Sequence, residues 1–269
     1  MTQNNNYSIN DFEISRLLGK GIFGNVHLAK SKRDGLLVAI KMYEKRKVIE
    51  KKMEKELFFE LYHQSQAIHP HVTRMYTFFH SEDMLYSVLQ WCQYGSLFNL
   101  MNNYKFRRLP EMLAIRYIYQ IANGLKYCHI LGFLHGDLKP ENVLLHSDGV
   151  AKISDFGLSW PLDGSAFLHR GSYRGTLEYM APELLNKKSY SEKIDHWSLG
   201  VMSFEFLVGK TAFYSKRKQL LIQRILDLNL RFPEIVTEEA RNLISNLLRL
   251  EPEERLTLHG VMTHNWISH

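Results

Sequence analysis

The sequence predicts an α+β fold of two lobes: a small antiparallel sheet with one main helix, then a larger and mostly helical part. Three observations lead there. Short runs of alternating apolar residues fill the chain as far as Trp91, helical spacing takes over from Pro110, and a polar connector around Gln93 to Ser96 lies between. A chain of 269 residues is long enough for a sizeable core. With 45% hydrophobic and 23% charged residues it reads as a soluble globular protein. Residues 1–10 are Asn-rich and polar and read as a disordered tail, neither a signal peptide nor an Arg-rich transit peptide. The folded domain is expected over 11–267, with lobes at 11–92 and 93–267.

In the first lobe, alternation from Phe12 leads through Leu18 into G-K-G-I-F-G-N-V, residues 19–26. Val26 and Leu28, then Leu36, Val38 and Ile40, continue the alternation on either side of Asp34-Gly35. The glycines therefore sit in a strand–turn–strand hairpin, not at a helix start as in a dinucleotide fold. Glycine lets a backbone approach a phosphate closely, so the hairpin either binds phosphate or is a plain glycine-rich turn. Lys41 ends the strand V-A-I-K. It is either an edge lysine with its head in water or a ligand for nucleotide phosphates that needs an acid to hold it. The basic run 41–55, interleaved with Glu44, Glu50 and Glu54, reads as a solvated helix face. Residues 51–67 form an amphipathic helix with Met53, Leu57, Phe58 and Leu61 on its apolar side and with Glu56 and Glu60 one turn apart. His69-Pro70 breaks it. Residues 72–79 and 84–91 are antiparallel strands joined by Ser81-Glu82-Asp83. The backbone after them is placed to read an adenine edge.

In the second lobe, Leu113, Tyr117, Ile121, Leu125 and Cys128 recur at helical spacing over 110–131, and Gly132 stops the helix. Residues 143–145 and 150–153 pair across Ser147-Asp148-Gly149. Residues 158–179 form a long loop with little apolar periodicity, and such a loop inside a compact domain is usually functional. Ala181-Pro182-Glu183 closes it. Helical patterns then cover 193–208, 216–226, 238–248 and 258–263.

Several function classes recede on composition. No apolar run approaches the ~20 residues of a membrane helix, so no membrane partner is expected. The net charge of +6 is compatible with anionic partners but does not demand nucleic acid, and no direct nucleic-acid contact is expected. Cys92 and Cys128 are far apart in sequence and read as reduced thiols in a reducing compartment.

The chemistry concentrates in residues 135–157, which read H-G-D-L-K-P-E-N, a short apolar strand, then D-F-G. Of the two acids, Asp137 and Asp155, one suits a general base beside a hydroxyl nucleophile, and Lys139 and Asn142 stand close behind the first. The other acid and the Asn142 amide suit a hard divalent cation, which prefers oxygen ligands. Together they point to metal-assisted phosphoryl transfer. A glycosidase pair made of the same two acids leaves the glycine hairpin and Lys41 unexplained.

The ordered set G-x-G-x-x-G-x-V, V-A-I-K, a helix glutamate, H-x-D-x-K-x-x-N, D-F-G and A-P-E resembles the eukaryotic protein kinase family over residues 12–267. The resemblance implies the two-lobed protein kinase fold, ATP and Mg²⁺ as cofactors, and a set of roles. Gly19, Gly21 and Gly24, with Lys20, Ile22, Phe23 and Asn25 between and beside them, cover the ATP phosphates. Leu18, Val26, Ala39 and Leu144 sandwich the adenine, Gln90 and Cys92 bond its edge through their backbone, and Leu89 is the gatekeeper. Lys41 holds the phosphates and pairs with Glu60. Asp137 is the catalytic base, Lys139 neutralises the transferred group, and Asn142 and Asp155 hold the metal. Lys139 together with Thr176 indicates serine/threonine specificity. Glu183 and Arg255 form a buried pair, and Asp195 anchors the catalytic loop.

Three segments carry a closer resemblance, to the Aurora kinases of the mitotic spindle and kinetochore: F-E-I-S-R-L-L-G-K-G-I-F-G-N-V-H-L-A, G-T-L-E-Y-M-A-P-E and L-I-S-N-L-L-R-L-E-P-E-E-R-L-T. Gln64, one turn after Glu60, fits the internal glutamine of that group. The resemblance implies a role in chromosome segregation and the spindle checkpoint, nuclear and cytoplasmic localisation, and an activator similar to the inner centromere protein. It also implies substrates with arginine upstream of the acceptor, met by Glu141 and Glu205. Ser172, within Arg170-Gly171-Ser172-Tyr173, is the expected autophosphorylation site. Another basophilic or mitotic kinase, such as a calcium/calmodulin-dependent or polo-like one, and a pseudokinase scaffold are the alternatives. Gly136 and Phe59 replace basic residues that grip the loop phosphate in such kinases, and Leu158 replaces a common tryptophan. Activity is therefore expected to depend less on Ser172.

Overall fold

The computed structural model describes residues 7–21, 24–146, 149–162 and 175–268. Five antiparallel strands open the fold: β1 (Phe12–Lys20), β2 (Asn25–Ser31), β3 (Leu37–Glu44), β4 (Met75–His80) and β5 (Met84–Gln90), in the spatial order β1-β2-β3-β5-β4. Between β3 and β4 run α1 (Lys45–Glu50) and α2 (Glu54–Gln66). The alternation of the sequence decides which face each residue takes. Ala39, Tyr43 and Leu89 face α2, while Ile40, Tyr86 and Val88 pack with Phe12 and Phe79 on the other side. The β2–β3 turn closes as expected, with Gly35 at φ +74° and its amide donating to the Ser31 carbonyl at 2.9 Å.

Several boundaries differ from the sequence reading. Lys41 does not end its strand. Met42, Tyr43 and Glu44 continue it, because β5 offers Tyr86, Leu85 and Met84 as partners. The helix expected over 51–67 begins only at Glu54, after a break in which Lys52 takes φ +53°. Phe58 is not on its apolar side but 55% exposed. Part of the basic run lies on α1, where Lys47 pairs with Glu44 and Arg46 with Glu50 in solvent. Val72 precedes β4 rather than starting it. It bridges to Ile153 and joins the core of the second lobe.

The second lobe contains α3 (Leu97–Asn102), α4 (Glu111–Ile130), β6 (Phe133–Leu134), β7 (Val143–Leu145), β8 (Ala151–Ile153), β9 (Trp160–Pro161), α5 (Pro182–Leu185), α6 (Lys193–Val208), α7 (Lys218–Leu226), α8 (Glu238–Leu247), α9 (Leu258–Met262) and α10 (Asn265–Ser268). Helix α3, unforeseen in the sequence, starts where the Ser96 side chain accepts from the Asn99 amide at 3.2 Å. Its apolar residues Leu97 and Met101 are fully buried. Strands β7 and β8 form one two-stranded ribbon and β6 and β9 another. Helix α6 is buried along nearly its whole length and is the axis of the large core. It ends at Gly209, φ +81°, where a Cβ would lie 1.9 Å from the Phe106 carbonyl oxygen. Arg255 grips Glu183 through two bonds, 2.6 and 2.7 Å, as the resemblance implies. No helix among the described residues is long and apolar enough to cross a membrane. Cys92 and Cys128 are buried and unbridged, and burial holds the Cys92 thiol up at about 11.

Candidate functional site

A cleft of about 510 Å³ opens between the sheet and the second lobe. Leu18, Val26 and Ala39 line it from the sheet and Leu144 from β7, with Leu89 behind. Gln90, Trp91 and Cys92 form its edge. The Gln90 amide is committed to the Arg74 carbonyl at 2.8 Å, so Gln90 can offer only its carbonyl oxygen to a ligand. Below, the connector is pinned to β7, where the Leu145 amide donates to the Gly95 carbonyl at 2.8 Å. An apolar slot bordered by backbone polar groups suits a flat heteroaromatic ring.

Gly19, Lys20 and Gly21 line the mouth of the cleft. A Cβ at Gly19 would meet nothing within 4 Å, so the fold itself does not require glycine there. Its bareness leaves room for a ligand's phosphates to approach the backbone. Gly24 has a different reason: a Cβ there would lie 1.8 Å from the Met42 carbonyl oxygen. Gly24 and Asn25 are not among the cleft-lining residues, and Ile22 and Phe23 lie outside the described residues.

At the polar end Lys41 Nζ lies 2.5 Å from Glu60 Oε1 and 2.9 Å from Asp155 Oδ1. Of the two helix glutamates it is Glu60 that reaches the lysine. Burial alone would lower the Lys41 pKa, but the Asp155 and Glu60 carboxylates outweigh it and hold the ammonium well above its ordinary value. Lys41 likewise holds Asp155 below the usual carboxylate range. Glu60 Oε1 also accepts from the buried Tyr43 hydroxyl at 2.9 Å, while its Oε2 is buried without a partner. That oxygen belongs to a residue lining the cleft. Asp155 adopts φ +63°, a left-handed conformation rare outside glycine, and its side chain is 50% exposed.

The second cluster lies on the loop after β6. Asp137 Oδ2 accepts from Lys139 Nζ at 2.6 Å and Asn142 Nδ2 at 3.1 Å. Its Oδ1 accepts from the Thr176 amide at 3.0 Å and hydroxyl at 3.1 Å. Lys139 Nζ also donates to Thr176 Oγ1 at 2.7 Å. An ionised carboxylate has about four acceptor sites, so Asp137 is fully engaged. Asn142 spends its amide N–H groups on Asp137, which leaves Oδ1 as its available donor to a cation.

Asp195, on α6, sets this loop from below. It accepts from the His135 amide at 2.8 Å, the Gly136 amide at 2.9 Å and His129 Nε2 at 2.8 Å. Burial works to raise the Asp195 pKa, but the hydrogen bonds from His129 and the His135 amide prevail and keep it low. His135 accepts the Asp137 amide on Nδ1, 3.2 Å, so its Nε2 carries the proton shared with the Ser154 carbonyl at 3.1 Å.

The Lys41–Glu60–Asp155 cluster, the glycine turn and the apolar slot thus face one cleft; of the second cluster Asn142 lines it, and Asp137 and Lys139 do not. A protein kinase domain model matches residues 12–267. An Aurora kinase of Candida glabrata is 39% identical over 267 residues, 99% of this chain and 73% of its own length. One from Schizosaccharomyces pombe is 41% identical over 97% of this chain and 72% of its own. The chain belongs to the Aurora family of protein kinases. An Aurora kinase of the sea star Patiria pectinifera is 41% identical over 98% of this chain, but the chain spans only 64% of that relative's length.

As an Aurora-family member the protein is an ATP-dependent serine/threonine kinase that uses Mg²⁺. The cleft fits that pair. Among the described residues no group of three or more His, Cys, Asp or Glu side chains could hold a metal by itself. Asp155 and Asn142 supply one carboxylate and one amide, as suits an ion that shares its shell with phosphates and water. Two cleft residues beyond the sequence-predicted site, Thr73 and Gln64, line its back. Gln64 is 1% exposed, which agrees with its internal place in the resemblance. Helical periodicity could not reveal Thr73. Ser172 lies outside the described residues.

Proposed function

We propose that this Aurora-family kinase transfers the ATP γ-phosphoryl group to serine or threonine hydroxyls preceded by arginine, in mitotic chromosome segregation. One observation carries this: Lys41, Glu60 and Asp155 meet at the cleft that Asn142 also lines, and Asn142 bonds Asp137. Asn142 and Asp155 would hold Mg²⁺, which when bound would supply positive charge against the phosphate oxygens. Lys41 fixes the phosphates, with Glu60 keeping its ammonium in place. Gly19 and Gly21 let the backbone approach them. Leu18, Val26, Ala39 and Leu144 clasp the adenine, and Gln90 and Cys92 bond its edge. The substrate hydroxyl displaces one of the four partners of Asp137, and Asp137 takes its proton. Lys139 neutralises charge on the moving phosphoryl group.

Glu141 is exposed and free to meet an upstream arginine, while buried Glu205 already bonds the Tyr179 hydroxyl and has Arg107 3.9 Å away. This supports Glu141 as the first contact. Ser172, preceded by Arg170, fits the same preference and would be modified by the enzyme itself. Nuclear and spindle localisation and an activator like the inner centromere protein follow from the same reading. A radiolabelled ATP assay on a histone-tail substrate tests the core of it. Asp137→Asn is expected to lose about 10²–10⁴-fold in rate. If wild type transfers no more phosphate than the variant, the enzyme reading fails and a scaffold remains. A peptide array that selects no upstream arginine removes the substrate assignment alone.

A further inference from the structure

Glu60 can hold Lys41 only while α2 is docked, and the docking contacts of this helix are distinctive. Phe59 meets Trp160 of β9 edge-on at 4.8 Å and stacks on His63 at 5.4 Å. His63 stacks on Phe133 of β6 at 4.3 Å. The register pairs Trp160 with Leu134 and Phe133 with Pro161, so both rings stand on one small ribbon. A polar relay runs beneath. Ser159 Oγ lies 2.7 Å from the Phe156 carbonyl and 2.9 Å from His63 Nδ1. A carbonyl can only accept, so the serine donates to it and receives the His63 Nδ1 proton. Phe156 follows Asp155 directly and packs edge-on against His135 at 5.2 Å and Phe133 at 5.9 Å. The helix is thus joined to the segment that carries Asp155 by rings and neutral hydrogen bonds.

Gly136 belongs to the same construction. It takes φ +79°, and a Cβ there would lie 2.5 Å from the Leu158 carbonyl oxygen. The backbone of Leu158 occupies the space a side chain at 136 would need, and that close approach leads directly into Ser159 and Trp160.

We propose that Phe59, His63, Ser159 and Trp160 form an uncharged clasp that docks α2 on the Asp155 segment, with Phe59 and Trp160 as positioning residues for the Lys41–Glu60 pair. The inference rests on the kinase reading of the cleft and deepens it: the clasp does by packing what a charged grip on a loop phosphate would otherwise do. Being uncharged, it holds whether or not Ser172 is phosphorylated.

The test is a kinetic double-mutant cycle on the full chain. Trp160→Ala is expected to lower kcat about tenfold or more by letting α2 shift, and Trp160→Phe to restore most of it. In a Glu60→Gln background, Trp160→Ala is expected to cost less than about threefold, because the group it positions is already disabled. Equal losses in both backgrounds, or no loss in Trp160→Ala, overturn the clasp. Phe59→Leu, which keeps bulk and removes the ring, runs the same cycle if Trp160→Ala does not fold. Ser172→Ala is expected to keep kcat within about threefold of wild type, and abolished activity contradicts the proposal. A wild type no more active than Asp137→Asn instead sinks the kinase reading itself.

Discussion

Two buried ion pairs divide this molecule's tasks between them. Arg255–Glu183 is saturated. Both carboxylate oxygens are bonded, and the guanidinium also donates to the Arg249 and Lys193 carbonyls at 2.9 Å each. Lys41–Glu60 is incomplete: one lysine serves two carboxylates, and Glu60 Oε2 is buried without a partner. The saturated pair lies away from the cleft and fixes how α5 meets the chain after α8. The incomplete pair faces the cleft and keeps capacity for a ligand. Buried charge reads as architecture where every oxygen and N–H is bonded, and as a working site where one is held back.

The largest expected effect falls on the saturated pair. Glu183→Gln leaves the Arg255 charge buried without its counter-ion and is expected to cost about 3–5 kcal/mol in denaturant unfolding. A loss below about 1 kcal/mol would break the comparison. Next comes the incomplete pair. Lys41→Met is expected to lower kcat/KM about 10²-fold, roughly 2.7 kcal/mol, while unfolding costs less than in Glu183→Gln, because burial already favours protonation of Glu60 and Asp155 is half exposed. Unfolding in step with the activity loss would make Lys41 a structural residue like Arg255.

The smallest effect is acid sensitivity at buried imidazoles that belong to neither pair. Burial holds His63 and His196 down to about 4, against about 6.5 in the unfolded chain. Between those values the unfolded state binds more protons. The stability is fully present above about pH 6.5 and is lost as pH falls toward 4. At pH 5 each imidazole is expected to remove roughly 2 kcal/mol relative to pH 7. Replacing His63 with phenylalanine should flatten its share of that slope in unfolding measured at both pH values.

Much of this was legible in the sequence, and what was not has a common cause. Helix α6 begins and ends where the pattern places it, at Lys193 and Val208, because its periodicity is local. The glycine hairpin read correctly because alternation continues on both sides of Asp34-Gly35. The pairing of Lys41 with Glu60 rather than Glu56 came through family resemblance, since two glutamates one turn apart look alike locally. Phe58 was misplaced because an apolar side chain does not say which of two adjacent faces is covered; Phe59 took the buried contact. Strands β6 and β9 have two residues each and no period at all. Gly136 stood out only as a missing arginine. Its steric reason is the Leu158 carbonyl, a neighbour in space that no spacing rule reveals.

That neighbour closes position 136 to side chains. With the Leu158 oxygen 2.5 Å from where a Cβ at position 136 would stand, an arginine there would have to displace the Leu158 backbone. The glycine thus marks a close approach of two backbone segments as well as a gap in the charge pattern.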